Sequence, residues 1–153
     1  MASVHISLNV GDLEKSADFY GRFLGDPAKR KPGYVKFVNA EPEIHLALQP
    51  YGGDAPRGEG ALSHLGIRVG TPEEVHAWQR RLEERGLTPR IEEETACCYA
   101  LQEKIWLADP DGNQWEVYAV IEDLEEAGRC GPESGCGCAS DPAQTRAGTL
   151  PTV

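Results

Sequence analysis

The chain has 153 residues and a formal net charge of −10, with 40% hydrophobic and 26% charged residues. That length suits one domain with a substantial core, and the acidic balance argues against nucleic acid or an anionic membrane as a partner. No apolar run approaches the ~20 residues that a transmembrane helix needs, and the N-terminus lacks the features of a signal peptide. We therefore expect a cytoplasmic protein whose five cysteines are mostly reduced.

The first block of the chain, residues 1–50, begins with an alternating strand over 4–10. A helix follows, capped by Asp12 and ending near Gly25. Strands are predicted over 33–39 and 43–49, and the third strand of this block is short or merged with a neighbour. Residues 51–60 are rich in Gly and Pro and predict a polar linker.

The second block, residues 61–120, has the same order of elements. A strand over 64–69 precedes a helix that is capped by Thr71 and ends near Gly86. Strands are predicted over 88–94, 104–109 and 113–120, with a turn at Pro110-Asp111-Gly112 between the last two.

The last segment, residues 121–153, is acidic, has no aromatic residue and is rich in Gly, Pro, Ser and Glu. It cannot bury enough apolar surface to offset its ordering entropy, so a disordered tail is predicted. Its thiols Cys130, Cys136 and Cys138 do not have zinc-finger spacing. They are either incidental or bind a soft ion transiently.

The two blocks resemble copies of one another at a constant offset of 59 residues, which matches His5 to His64, Gly11 to Gly70 and Phe19 to Trp78. The chain is therefore predicted to form one α+β domain over residues 1–120. It consists of two βαβββ modules that pair into a curved mixed β-sheet cup.

Period-two alternation assigns three polar side chains to the face of the sheets away from the helices. His5, His64 and Glu116 each alternate with apolar residues of their strands. If the modules pair into a cup, two imidazoles and a carboxylate meet there. That set suits non-haem Fe(II), with positions left for O2 and substrate, and could also hold Mn, Ni, Co or Zn. The alternative for any one of them is simple exposure to solvent.

Two other histidines are weighed against this set. His45 is expected at the fourth equivalent position of the cup, as a lining residue. His76 lies within the second predicted helix and is expected on the surface.

Cys97 and Cys98 are adjacent, and a strand would direct their side chains to opposite faces. We expect them in a mobile loop where both sulfurs can bind the same ligand. The alternative is two unrelated core cysteines. Tyr99, Gln102 and Lys104 follow them, either as a lid over a bound substrate or as an ordinary solvated loop.

Residues 3–120 resemble the vicinal-oxygen-chelate superfamily, which includes glyoxalase I, bleomycin-resistance proteins and extradiol dioxygenases. The resemblance rests on HISLNVGDLEKSADFYGRFLG, SHLGIRV and DPDGNQWEVY. A narrower resemblance, to the organoarsenical C–As lyases and the related cadmium-induced proteins, rests on GYVKFVNAEPEIHLALQ and ETACCYALQEKIWLADPDGNQWEVY.

The narrower resemblance implies an Fe(II)-dependent dioxygenase with O2 as co-substrate, which releases arsenite from methylarsonous acid or trivalent aromatic arsenicals. It places His5, His64 and Glu116 at the metal-ligand positions and Cys97 and Cys98 at the arsenic-binding pair. A thiophilic As(III) centre favours thiolates, and two cysteines can replace the two hydroxyls of methylarsonous acid.

Two alternatives remain open: a protein that sequesters cadmium or arsenic, and a glyoxalase-like thiol-dependent lyase or transferase. The modules pair either within one chain or across a homodimer.

Overall fold

The structure, a computed structural model, describes residues 3–52, 62–97 and 100–123, and for residues 94–97 it describes the backbone alone. Most of the predicted linker, and the predicted tail beyond residue 123, lie outside the described residues. So do Cys98, Tyr99 and the three tail cysteines.

The first module is a four-stranded sheet with one helix. Its elements are β1 (Val4–Val10), α1 (Leu13–Leu24), β2 (Lys29–Lys31), β3 (Tyr34–Ala40) and β4 (Glu43–Pro50). The strand order is β1-β4-β3-β2, in which β1 runs parallel to β4 and the other pairs are antiparallel. The third strand of this block is the three-residue β2, short as predicted.

The second module repeats this arrangement. Its elements are β5 (Leu65–Arg68), α2 (Pro72–Glu84), β6 (Arg90–Cys97), β7 (Ala100–Ala108) and β8 (Gln114–Asp123). The order β5-β8-β7-β6 again has one parallel pair, β5 with β8. The predicted α+β class with two βαβββ modules is confirmed.

Both helices begin at the predicted caps. The Asp12 side chain accepts hydrogen bonds from the backbone N–H groups of Glu14 and Lys15. Thr71 and Glu74 form a reciprocal capping box, which satisfies N–H groups that a helix start leaves unpaired. In the described part of the chain, neither helix has the length and apolarity to cross a membrane.

One hydrophobic core joins the two modules. The Phe23 ring of α1 lies 5.3 Å from Trp115 of β8 and 5.9 Å from Trp78 of α2, measured between centroids. Apolar residues at helical spacing on α1 are buried, among them Phe19 and Tyr20. The aromatic side chains of α1 therefore pack against β3 of the first module and against α2 and β8 of the second.

The predicted turn between β7 and β8 is confirmed, and it also contacts the first module. Asp111 accepts hydrogen bonds from the Gly11 backbone N–H at 3.0 Å and the Ser16 hydroxyl at 3.3 Å. The Tyr20 hydroxyl donates to Asp109 at 2.7 Å. Asp109 and Asp111 are buried and hydrogen-bonded, so the turn attaches the second module to the start of α1.

The hairpin of β6 and β7 is longer than predicted. Cys97 is the last residue of β6 and is paired with Ala100, the first of β7, so Cys97 lies at a strand end and not in a loop. The many polar residues here hide the alternation of a strand, but β7 pairs with the long β8 along its whole length. Tertiary pairing thus overrides the local pattern.

Candidate metal centre

His64 and Glu116 meet at the edge of the second sheet. The His64 Nε2 atom lies 3.5 Å from Glu116 Oε1. The Ser63 hydroxyl lies 2.9 Å from His64 Nδ1, which occupies that nitrogen and leaves Nε2 directed at the carboxylate. Ser63 therefore orients the His64 imidazole toward the Glu116 carboxylate.

Glu116 is a buried carboxyl whose surroundings act on it in opposite directions. Burial raises its pKa, the neighbouring Lys104 and His64 lower it in part, and the nearby Glu92 raises it again. Lys104 Nζ lies 3.8 Å from Glu116 Oε2 and is itself buried. Lys104, the first residue of the predicted strand 104–109 and an alternative lid or loop residue, lies in β7, and alternation along that strand places it on the Glu116 face.

Trp106 and Glu92 complete this face of the sheet. The Trp106 ring lies 5.2 Å from the His64 ring in an edge-on arrangement. Its Nε1 atom and the Glu92 Oε2 atom are buried and have no hydrogen-bond partner among the described residues. Sequence reasoning missed both residues, because they join the site through the pairing of Trp106 with Glu116 and of Glu92 with Lys104, which are long-range contacts.

The absence of a side chain at Gly66 leaves space for the Glu116 carboxylate. Gly66 and Glu116 are direct partners in the parallel pairing of β5 with β8. A Cβ atom at Gly66 would lie 3.1 Å from Glu116 Oε1 and 3.3 Å from Tyr118 Cε1. A larger residue would therefore displace the carboxylate.

His5 lies in the other sheet. It is exposed on β1 and is the direct partner of His45 on β4, so the two imidazoles belong to the same face. Among residues 3–52, 62–97 and 100–123, three metal-ligating side chains come within 4.8 Å of one another at one place, and that group does not include His5. That group includes neither His64 nor Glu116, so the ligand atoms of His5, His64 and Glu116 do not all lie within 4.8 Å of one another, although His64 and Glu116 are 3.5 Å apart.

The strand register corrects the position expected for His45. Glu116 is paired with Gly66, two residues beyond His64. Two residues beyond His5 is Ser7, whose partner on β4 is Ala47. The position equivalent to Glu116 in the first module is thus the buried Ala47, which offers no ligand, and His45 lies two residues before it on β4.

Cys97 lies in the same sheet as Glu116 but at a distance along it. Trp106 is the partner of both Glu116 and Arg90, whereas Ala100 is the partner of Cys97. Trp106 is six positions after Ala100 in β7, which is about 20 Å along an extended strand. Both β6 and the β7–β8 pairing have a register shift between these points, where strands bend.

His64 and Glu116 supply two of the ligands that a divalent transition metal needs. A separation of 3.5 Å is compatible with two ligands of one ion whose bonds are about 2.0–2.2 Å long. The third predicted donor, His5, belongs to the first sheet, and the three ligand atoms do not all lie within 4.8 Å of one another in the described residues. His64 and Glu116 would thus provide one imidazole nitrogen and one carboxylate oxygen.

Residues 2–117 match the model of the Glyoxalase/Bleomycin resistance protein/Dioxygenase superfamily, and the chain belongs to that superfamily. Solved structures agree with the fold. A glyoxalase/bleomycin resistance protein/dioxygenase from Alicyclobacillus acidocaldarius has a TM-score of 0.62 at 19% identity, covering 79% of this chain and 92% of that one. The predicted vicinal-oxygen-chelate fold is confirmed.

Two curated relatives are more similar in sequence. The chain is 46% identical over 129 residues to the cadmium-induced protein CadI of Mycobacterium tuberculosis, covering 84% of this chain and 82% of that protein. It is 42% identical over 138 residues to the trivalent organoarsenical cleaving enzyme of Thermomonospora curvata, covering 89% of each. The predicted resemblance to these two groups is confirmed.

Proposed function

We propose that this protein is a non-haem Fe(II)-dependent dioxygenase that cleaves the carbon–arsenic bond of trivalent organoarsenicals and so detoxifies them. The observation that carries the proposal is the pairing of His64 with Glu116 in a chain 42% identical to an organoarsenical cleaving enzyme. Methylarsonous acid and trivalent aromatic arsenicals are the substrates proposed, and arsenite is the inorganic product.

His5, His64 and Glu116 would hold the iron, which supplies redox chemistry with O2 as co-substrate. The surrounding residues prepare the two donors of the second module. Ser63 holds the imidazole in orientation, and Lys104 draws the other Glu116 oxygen toward itself. The burial of Glu116 and Lys104 keeps water from competing for these charges.

Cys97 and Cys98 would bind the arsenic. Condensation of two thiols with methylarsonous acid forms two As–S bonds and releases two waters, and the methyl group remains on arsenic. For the thiols to act at the metal, the tip of the β6–β7 hairpin would have to bend over the Glu116 face. The register shifts, between Glu92 and Thr95 and between Leu101 and Gln102, are the places where it would bend.

A homodimer would bring the third ligand to the site. β1 and β5 are edge strands of their sheets, and exposed apolar side chains lie on or beside them, Val4 at 62% and Leu62 at 50%. Free edges of this kind pair readily with another chain. We propose that His5 of one chain joins His64 and Glu116 of a second copy.

Sequestration of a soft metal is the second candidate, favoured by the 46% identity to a cadmium-induced protein. Such a protein would hold cadmium or trivalent arsenic on its thiols without turnover. It would have no need of the His64–Glu116 pair, which is why we place the enzyme first.

Substitution of the thiols tests the proposal. Cys97→Ser and Cys98→Ser should each abolish release of arsenite from methylarsonous acid, because one thiol cannot replace both hydroxyls, while Fe(II) binding stays at the wild-type level. Cys130→Ser is the matched control and should keep full activity. Wild-type turnover in either of the first two variants would refute the thiol role. Stoichiometric binding of the substrate by wild type without any arsenite would favour sequestration.

A further inference from the structure

A second group of metal-ligating side chains lies on the helix side of the second sheet. His76 of α2, Glu93 of β6 and Glu103 of β7 have ligand atoms that all lie within 4.8 Å of one another. His76 Nε2 is 2.6 Å from Glu103 Oε1. Glu103 alternates along β7 with Lys104, which contacts Glu116, so this group and the His64–Glu116 pair are on opposite faces.

An irregularity in the strand pairing brings the two carboxylates together. Glu92 is paired with Lys104 and Thr95 with Gln102, which leaves Glu93 and the residue after it opposite the single residue Glu103. Like charges placed opposite each other on neighbouring strands are destabilising. A cation bound between the two carboxylates would be attracted to both of them.

The burial of the three side chains suits a site that is closed on one side and open on the other. The Glu103 side chain is 7% exposed, whereas that of His76 is 40% exposed and Glu93 is exposed. His76, expected on the surface from sequence, thus reaches inward to a buried carboxylate. A hydrated cation could reach the group from solvent and exchange waters for these ligands.

One imidazole nitrogen and two carboxylate oxygens are ligands that first-row divalent metals accept. Ca²⁺ and Mg²⁺ favour oxygen alone, and soft ions favour thiolates, which are not among the three. We infer that His76, Glu93 and Glu103 bind one divalent cation of the Mn²⁺ or Zn²⁺ class. This site is independent of the proposed Fe(II) centre.

A cation there would join α2 to the base of the β6–β7 hairpin. The three ligands come from three different elements, so binding requires α2, β6 and β7 to stay in their folded arrangement. An ion that binds the folded chain alone raises the midpoint of thermal unfolding. Occupancy would therefore stabilise the middle of β6, the strand that ends at Cys97.

Binding of Mn²⁺ to the full-length, reduced protein tests this inference. Mn²⁺ is the probe because carboxylate and imidazole suit it better than thiolates do. His64→Ala and Glu116→Gln are introduced together to disable the other centre. The loss of the free-ion EPR signal should then show one bound ion per chain, and the Tm should rise with added Mn²⁺.

In that background, His76→Ala and Glu93→Gln should each weaken Mn²⁺ binding by at least an order of magnitude and remove the rise in Tm. Glu93 is exposed, so its variant should fold even if changes at Glu103 do not. Glu84→Gln, at an exposed carboxylate at the end of α2, is the matched control and should bind as the background does. Absence of a bound ion in the background, or binding unaffected by both substitutions, would overturn the inference.

Discussion

A single glycine determines where the Glu116 carboxylate lies. The nearest atoms to a Cβ at Gly66 would be Glu116 Oε1 at 3.1 Å and Cγ at 3.2 Å. Because a carboxylate ends a flexible side chain, it can move aside at small cost to folding. Moving it by a few tenths of an ångström would nevertheless change its position relative to His64.

We therefore expect Gly66→Ala to weaken metal binding and lower activity much more than it lowers stability, which should fall by about 1 kcal/mol. Anaerobic Fe(II) titration and denaturant unfolding measure the two effects. Gly21→Ala is the control: no atom lies within 4 Å of its Cβ position, and alanine should stabilise α1 by about 0.5–1 kcal/mol. Unchanged Fe(II) affinity in Gly66→Ala would contradict this account of Glu116.

Residue-level reasoning from sequence predicted part of the candidate site. Alternation placed Glu116 on the face away from the helices, and His64 is close to it as expected. Alternation could not show that Lys104 is buried beside Glu116, since a lysine that follows Gln102 and Glu103 resembles part of a solvated loop. That placement depends on the pairing of β7 with β8, a long-range contact.

At the scale of elements, α1 is attached to the β7–β8 turn by buried polar contacts. The Tyr20 hydroxyl donates to Asp109 at 2.7 Å and accepts from Trp115 Nε1 at 3.0 Å. Burial raises the pKa of Tyr20, and the adjacent Asp109 charge raises it further. The phenol is therefore held in its neutral form in the folded protein.

Tyr20→Phe should lower the free energy of unfolding at pH 8 by about 1–3 kcal/mol, because Asp109 and Trp115 each lose a buried partner. A pKa raised by folding means that this stabilisation is complete below the unfolded-state pKa of about 10 and is lost as the pH rises above it. The difference between wild type and Tyr20→Phe should shrink by about 1.4 kcal/mol per pH unit there.

Urea unfolding at several pH values measures this difference. Tyr51→Phe, at an exposed tyrosine, is the control and should stay within about 0.5 kcal/mol of wild type. A difference for Tyr20→Phe that is constant from pH 8 to above pH 10 would contradict the buried neutral phenol.

The elements themselves were predictable where local signals agree. Asp12 and Thr71 begin the helices because their side chains accept hydrogen bonds from unpaired backbone N–H groups. Pro110-Asp111-Gly112 forms the turn because these residue types favour turn conformations. The β6–β7 hairpin was underestimated because polar side chains face both the Glu116 site and α2. Two polar faces leave no alternation to detect.

At the scale of the whole molecule, the sequence repeat predicted two modules but not which faces meet. The aromatic core between α1 and Trp115 unites the modules within the chain, with His5 in the first sheet and Glu116 in the second. Alternation within a strand carries no information about contacts between sheets. The proposal that a second copy supplies His5 therefore concerns how two chains assemble.

Complementation between two variants tests that assembly. His5→Ala and His64→Ala should each be inactive alone. When they are co-expressed, about half of the dimers should be mixed, each with one intact site, so activity should return to about a quarter of wild type. Failure to recover activity in mixed dimers isolated by two affinity tags would contradict a site shared between chains.

The central claim is tested most directly by the oxygen dependence of arsenite release. Reduced, Fe(II)-loaded protein is incubated with excess methylarsonous acid in air and under strict anaerobiosis, and arsenite is quantified by chromatography with arsenic-specific detection. The account predicts several equivalents of arsenite per chain in air, and none without O2 or after the iron is removed. Intact methylarsonous acid recovered in both conditions, or equal arsenite release without O2, would contradict it.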